Sequence, residues 1–434
     1  MTVLSSMNSG VSGLKAESDA LGVTGDNIAN VNTSGFKAQR AVFEDVLGHS
    51  ILAGTSTGLP GSGVRVGDIQ QMFTQGSLSN TGVSTDVALN GDGFFVVKGT
   101  VDGVSSDFYT RAGEFVINKD GKLTNTGGLK VQGYQANGDG TFAASLSDVT
   151  APTAALPARE TTEMEVTANI DSSAQVITAA WDPQDPANTA NFSTTMSIYD
   201  SLGNAHTADV YFRKTADNAW DYHVLTPGAD LNPPVVGNAE IGSGSLTFTT
   251  AGALNAETVT TPIAAAWGGG AAATPAAGVA INFGTSIAEG GTGLDGTTQF
   301  AGPSNVSAQK QDGYASGDFS GVSVDGQGVV TGLYTNGQKI AMSQLGIAKF
   351  RSNDGLGRAG QNLWISTRES GTAAMGTAGS GGRGATTGGA LEGSNVDLAS
   401  EFVSMIQHQR SFSANSKTIT TADEMLQELI GLKR

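Results

Sequence analysis

The chain has 434 residues, a formal net charge of −17, 61 glycines and no cysteine, and 38% of it is hydrophobic. The length allows roughly two to four domains. The acidity argues against nucleic acid or an anionic membrane surface as a partner, and the lack of cysteine excludes disulfides, thiolate nucleophiles and cysteine metal sites.

The first thirty residues read as a helix. Leu4, Met7, Val11, Leu14, Leu21 and Ile28 form one stripe, with Ser18 and Gly25 filling its polar stations. No basic residue precedes Lys15, so no cleavable leader is expected. The asparagine-dense run 27–37 should end the helix near Ala29, because Asn competes with it for backbone bonds. Gly35 permits a sharp redirection before Phe36 anchors the chain again. Residues 45–85 read as an extended connector with short strands.

From Asp86 a β domain begins. Val87, Leu89 and the run 94–97 flank Asn90-Gly91-Asp92-Gly93, a hairpin signal. A second hairpin is expected around Lys119-Asp120-Gly121, and a further strand over 131–134. Residues 139–300 then carry 17 acidic against three basic side chains, and hold nine of the 11 prolines. Within them 195–224 reads as a three-stranded meander, and the Ala/Gly/Thr-rich stretch 251–280 as a loose loop. Strand signals without the acidity resume near Ser307, at 322–333, 340–350 and 363–365, and should complete the interrupted β domain. Residues 371–389 read as a connector.

The last helix should be capped by Ser394, with Asp397 as its capping-box partner. Leu398, Phe402, Met405, Phe412, Ile419, Leu426 and Ile430 lie on one stripe, with Gln409, Ser416 and Asp423 at its polar stations. That stripe runs 33 residues, about 50 Å at 1.5 Å per residue. Two such seams are marginal alone, so burial by neighbouring copies of the chain is the natural completion.

The fold class expected is mainly β with terminal α-helices. Residues 1–33 and 394–434 would form a helical coiled-coil domain, and 34–85 and 366–393 connectors. Residues 86–138 and 305–365 would form a discontinuous β domain, and 139–304 an inserted acidic outer β domain. No stretch of 18 or more apolar residues suggests a membrane span.

Candidate chemistry is sparse. His49, His206, His223 and His408 have no metal-ligand spacing. The run 61–67 has the wrong spacing for a dinucleotide loop. The run 290–295 matches one copy of a calcium-binding repeat that works only when stacked. Glu163 and Glu165 read as a solvated strand edge. No catalytic residue, metal or cofactor is expected.

Several blocks together resemble the flagellar rod–hook family of axial proteins. They are Ser12-Gly13-Leu14-Lys15-Ala16, the run 27–37, the run 90–97, Tyr109-Thr110-Arg111-Ala112-Gly113, the run 391–398 and the run 420–426. The large insert, with Tyr199-Asp200-Ser201-Leu202-Gly203-Asn204, resembles the hook branch of that family rather than the shorter distal rod subunits. The resemblance implies a subunit that polymerises with itself into a flexible curved tube transmitting torque from rod to filament. It implies export by the flagellar apparatus, growth under a cap, a rod protein at the proximal end and a hook–filament junction protein at the distal end. Asn30, Asn32, Gly35, Phe36 and Lys37 would lie in the connector after the first helix. Polar stations in the stripes would weaken any single register and allow bending. A secreted adhesin, whose terminal helices would not matter for assembly, is the reading of a different class.

Overall fold

The computed structural model describes residues 3–47, 61–138, 140–151, 154–270 and 278–431. His49 lies outside them. The chain divides into two units.

The first unit takes in Met1–Thr153, Ser320–Leu333 and Lys339–Arg434. Its N-terminal helix spans Val3–Ala29, has no proline, and stops where the Asn30 side chain donates to the Asp26 carbonyl at 2.9 Å. The C-terminal helix spans Leu398–Gly431. Its cap is Asp397, which accepts from the Ala399 and Ser400 amides at 2.9 and 3.3 Å. Ser394, the cap expected from sequence, instead accepts from the Val396 amide, since the chain stays extended for three more residues.

The strands expected in the first connector are longer than foreseen, and the second connector also contains strands. Gln39–Leu47 and Gly61–Gln71 pair antiparallel as a long hairpin that packs on the N-terminal helix. Residues 371–389 carry Ala374–Thr377, paired with Lys339–Lys349, and Ala385–Gly388, paired with Val87–Asn90. The Asn90-Gly91-Asp92-Gly93 turn is a corner and not a hairpin. Val87–Asn90 bonds to Ala385–Gly388, whereas Phe94–Val101 bonds to Val104–Thr110 and Lys130–Ala136. Gly91 and Gly93, at φ +107° and +126°, redirect the chain between the two sheets. The hairpin around Lys119-Asp120-Gly121 forms, pairing Phe115–Ile117 with Leu123–Asn125.

The main sheet of this unit is completed by Lys339–Lys349 and Leu363–Ile365 from the far side of the insert. Its core is aromatic. The Phe94 ring lies 5.4–5.9 Å from those of Phe73, Phe350 and Trp364, in the tilted and edge-on poses that ring quadrupoles favour. Phe142–Asp148 pairs with Lys130–Ala136 and so belongs to this unit, although it falls in the acidic stretch.

The second unit comprises Ala154–Phe319 with Tyr334–Gln338. Five antiparallel strands, from Phe192–Tyr199 to Leu254–Thr261, form a meander. The last occupies part of the stretch expected to be a loop; 271–277 lie outside the described residues. Glu163–Asn169, Ala280–Asn282 and Asn305–Gln311 form a second sheet. Strict alternation in Ala205–Ala216 sends Ala208, Val210 and Phe212 inward. They join Met164, Val166, Trp220, Tyr222 and Phe283 in one core. Trp220 Nε1 donates to the side-chain oxygen Oε1 of Gln299 at 3.1 Å.

One carboxyl of this unit is poorly solvated. Glu257 Oε1 is buried without a hydrogen-bond partner. Burial pushes its pKa to about 7, aided by the nearby Glu289 charge and opposed by a backbone bond at Phe283. A carboxyl raised in the folded state contributes stability that is complete below its ordinary value of 4.5 and is lost as pH rises through about 7. The second unit should therefore melt at a higher temperature at pH 5 than at pH 8. Glu257→Gln should flatten that part of the slope, measured by calorimetry of both proteins across the range.

Candidate assembly surface and the junction beneath it

The two terminal helices pair antiparallel. Gly10 lies opposite Ile419, Gly13 opposite Asn415, Glu17 opposite His408 and Asn27 opposite Glu401. Small residues set the approach. A Cβ on Gly10 would stand 2.9 Å from Ile419 Cγ1, and one on Gly13 would stand 2.6 Å from Asn415 Nδ2. Ala16 and Ala20 of the same helix are also buried, and Val23 lines the groove beside strand Gly61–Gln71. The facing residues of the C-terminal helix are largely polar, with His408 Nδ1 2.6 Å from Glu17 Oε2 and stacked on Phe43.

The apolar stripes read from sequence take other directions. Val11 is 52% exposed, while Met7, Leu14, Leu21 and Ile28 are half-buried. Leu4 lies within the same helix. On the C-terminal helix Leu398, Phe402, Phe412 and Ile430 are exposed, at 40%, 52%, 39% and 71%. Met405, Ile419 and Leu426 are half-buried, and Ile419 reaches the partner helix. Val403 and Ile406, absent from the stripe, are also exposed. The intramolecular seam thus uses small and polar residues, and much of the apolar surface is left uncovered in the single chain.

Below the helices the chain's two ends are locked by a buried ion cluster. The Glu392 carboxylate has no exposed surface. It accepts from Lys37 Nζ at 2.6 Å, from Arg111 Nη1 at 3.2 Å and from the Gly76 amide at 3.0 Å. Lys37 also donates to the Thr74 carbonyl at 2.8 Å, and Arg111 to the Gly91 carbonyl at 2.7 Å. Arg111 further lies over the Phe94 ring, 5.5 Å from its centroid. Burial lowers the pKa of both cations, and the Glu392 charge opposes it.

The connector residues feed this cluster. Gly35 adopts φ +68°, and a Cβ there would stand 2.6 Å from the backbone of Arg111 and Ala112. Its amide donates to the Glu392 carbonyl at 2.8 Å. Phe36 is buried, Asn30 folds back on Asp26, and Asn32 is exposed. Two residues of this site were missed as such. Arg111 and Glu392 sit inside blocks quoted for the family resemblance, and their signal was a charge flanked by small or apolar neighbours. Asn395 was missed too; it binds the Ala38 amide and the Met72 carbonyl, each at 2.7 Å, closing the base of the hairpin.

The histidines serve local packing. His206 stacks on Trp267 and faces Asp200 and Asp230, and His223 stacks on Trp181 beside Glu240. Asp295, from the repeat-like run, accepts from the Thr285 amide. Glu165 faces Lys310 at 3.4 Å. Among the described residues no group of three or more His, Asp or Glu is placed to hold a metal, and no helix is long and apolar enough to cross a membrane.

Four stretches match models of flagellar proteins. Residues 7–37 match "Flagella basal body rod protein" and 88–176 match "Flagellar hook protein FlgE/F/G D1 domain". Residues 169–314 match "Flagellar basal body protein FlaE D2 domain" and 387–432 match "Flagellar basal body rod FlgEFG protein C-terminal". Paired terminal helices around an interrupted β unit and these matches define an axial protein of the bacterial flagellum. The flagellar hook protein FlgE of Salmonella typhimurium is 36% identical over 431 residues, 99% of this chain and 100% of that protein. That of Escherichia coli K12 is 36% identical over 98% of both chains, and that of Treponema pallidum 33% over 100% of both. A crystal structure of Helicobacter pylori flagellar hook protein FlgE2 shares the fold, with a TM-score of 0.51 over 71% of this chain and 98% of that one, at 13% identity. The chain belongs to the flagellar hook protein family, and is a structural subunit of the hook.

Removing the anion from the cluster strands two buried cations. Glu392→Gln should destabilise the first unit by about 3–5 kcal/mol, read as a lower urea midpoint. Lys37→Met together with Glu392→Gln should be milder than Glu392→Gln alone, because one stranded cation is gone. Equal losses for the two proteins would show that Lys37 and Glu392 are not coupled.

Proposed function

We propose that the terminal helices form the seam by which copies of this chain polymerise into the hook tube. The observation that supports this is the exposure of Leu398, Phe402 and Ile406 at 40–52% on a helix already paired on another side. A soluble chain that leaves such a row open is completed by a partner, and for a hook subunit that partner is another copy. The seam comprises Leu4, Met7, Val11, Leu14, Leu21 and Ile28 with Leu398, Phe402, Met405, Phe412, Ile419, Leu426 and Ile430. The connector of Asn30, Asn32, Gly35, Phe36 and Lys37 holds the helices to the β unit.

In this reading the chain is a building block and not a catalyst. It passes through the flagellar export apparatus and assembles outside the cell beneath a cap. The tube starts on a rod protein and ends at a hook–filament junction protein. These partners follow from the rod–hook resemblance. The net charge of −17 favours neither nucleic acid nor an anionic membrane as a partner.

Concentrated protein should form curved tubes in negative-stain micrographs. Removing residues 398–434 should abolish them while leaving the second unit's thermal transition in place. Gln409→Leu with Ser416→Leu should stiffen the tube, because exposed polar stations on the stripe become apolar. A persistence length equal to that of the unaltered tube would remove the stripe from the account of bending.

A further inference from the structure

Beside the N-terminal helix runs a groove of about 800 Å³, walled on the other side by strand Gly61–Gln71. Its lining includes Asp19, Asp26 and Asp68, with Gly22, Val66 and Ile69 between them. Among the described residues no cation lies within ion-pair distance of these three carboxylates. Asp26 is held by Asn30 and Gln39, and Asp68 accepts from the Ile69 amide.

Gly22 is a second and independent sign. On the same helix Gly10 and Gly13 each admit a side chain of the C-terminal helix, but a Cβ on Gly22 or Gly25 would meet nothing within 4 Å, and of these two only Gly22 lines the groove. Glycine inside a helix costs about 1 kcal/mol relative to alanine, and the single chain shows no contact that offsets it. An open glycine in the lining of a groove suits close approach by something outside the molecule.

The C-terminal helix carries a face of the complementary kind. Leu398, Phe402, Ile406 and Arg410 follow at four-residue steps, and Lys417 continues the row seven residues on. The apolar members are 40–52% exposed, and Arg410 and Lys417 are exposed with no carboxylate in ion-pair distance among the described residues. The charge spacing also agrees. Asp19 and Asp26 are seven residues apart, as are Arg410 and Lys417, so each pair is spaced by about 10.5 Å along its helix.

We infer that the acidic groove beside the N-terminal helix receives the 398–417 face of the C-terminal helix of a second copy. Because the two surfaces differ, the contact is heterologous and propagates from copy to copy instead of closing a dimer. The inference rests on the hook-subunit reading and adds to it the identity of the mating surfaces.

Charge reversal tests it in full-length protein. Asp19→Lys with Asp68→Lys, and separately Arg410→Glu with Lys417→Glu, should each raise the concentration needed for polymerisation by about tenfold or more, the weight of a close charge pair. The four changes combined should bring it back towards the unaltered value. All four positions are exposed, so circular dichroism melts should be unchanged. The natural chain has no cysteine, so Gly22→Cys with Ile406→Cys should give intermolecular disulfides when assembled protein is oxidised. Tubes from both double variants at the unaltered concentration, with no cross-link, would overturn the groove contact and leave the hook reading standing. Failure of the unaltered chain to form any tube would overturn the hook reading itself. Cross-linked closed dimers in place of tubes would overturn the heterologous contact.

Discussion

A single buried carboxylate holds the two ends of this chain together. Glu392 lies 355 residues from Lys37 and 281 from Arg111, yet it bonds both with no exposed surface. Such a cluster is expensive to bury, and hydrophobic replacements of similar volume can be as stable. What it supplies is position. A carboxylate between an ammonium, a guanidinium and the Gly76 amide admits few arrangements, whereas an apolar patch admits many. The strand entering the C-terminal helix, the connector leaving the N-terminal helix and the Asn90–Gly93 corner are therefore fixed with respect to one another. Asn395 reinforces this point by bonding the Ala38 amide and the Met72 carbonyl.

Above the junction the helices meet through a seam that is narrow by composition. Gly10 and Gly13 let Ile419 and Asn415 of the other helix come close, but they bury little apolar area. The pair is helped by the hairpin Gln39–Leu47 and Gly61–Gln71 along one side and by the Glu17–His408 contact. Ile419 enters this seam, whereas Val11, Leu398, Phe402 and Ile406 stay outside it. Much of the hydrophobic material that would stabilise a self-sufficient stem thus lies on faces that are exposed in the single chain.

The sequence carried the large-scale organisation well and the contacts poorly. Helix ends near Ala29, the interruption of the first β unit and the meander of the insert were legible because each depends on local chemistry: asparagine density, alternation and turn residues. The stripes were legible as stripes, to be completed by neighbouring copies, but the side by which the two helices meet within the chain was not. A heptad pattern reports that a helix has a sticky side and says nothing of contacts made by its other sides. Here the neighbour within the chain takes the glycine side, which hydrophobic periodicity cannot mark. The Gly91 and Gly93 corner was misread for a similar reason, since a glycine turn between two apolar runs looks alike whether the runs pair or part. The Lys37–Glu392–Arg111 cluster was the least visible of all. Buried charges carry no periodic signal, and their partners lie hundreds of residues away.

This division of labour between the faces suits a polymer that bends. Close packing through glycine and alanine tolerates little sliding, because a shift of one residue drives a Cβ into a backbone. Wet contacts that mix exposed apolar residues with charges tolerate more, since water and long side chains readjust at modest cost. A subunit built with its tight seam inside and its adaptable surfaces outside stays rigid as a unit while its contacts with neighbours lengthen and shorten. Flexibility of the assembly then requires no flexibility of the subunit. On the proposed seam it would follow from small residues where the chain meets itself and large apolar and charged residues where copies meet.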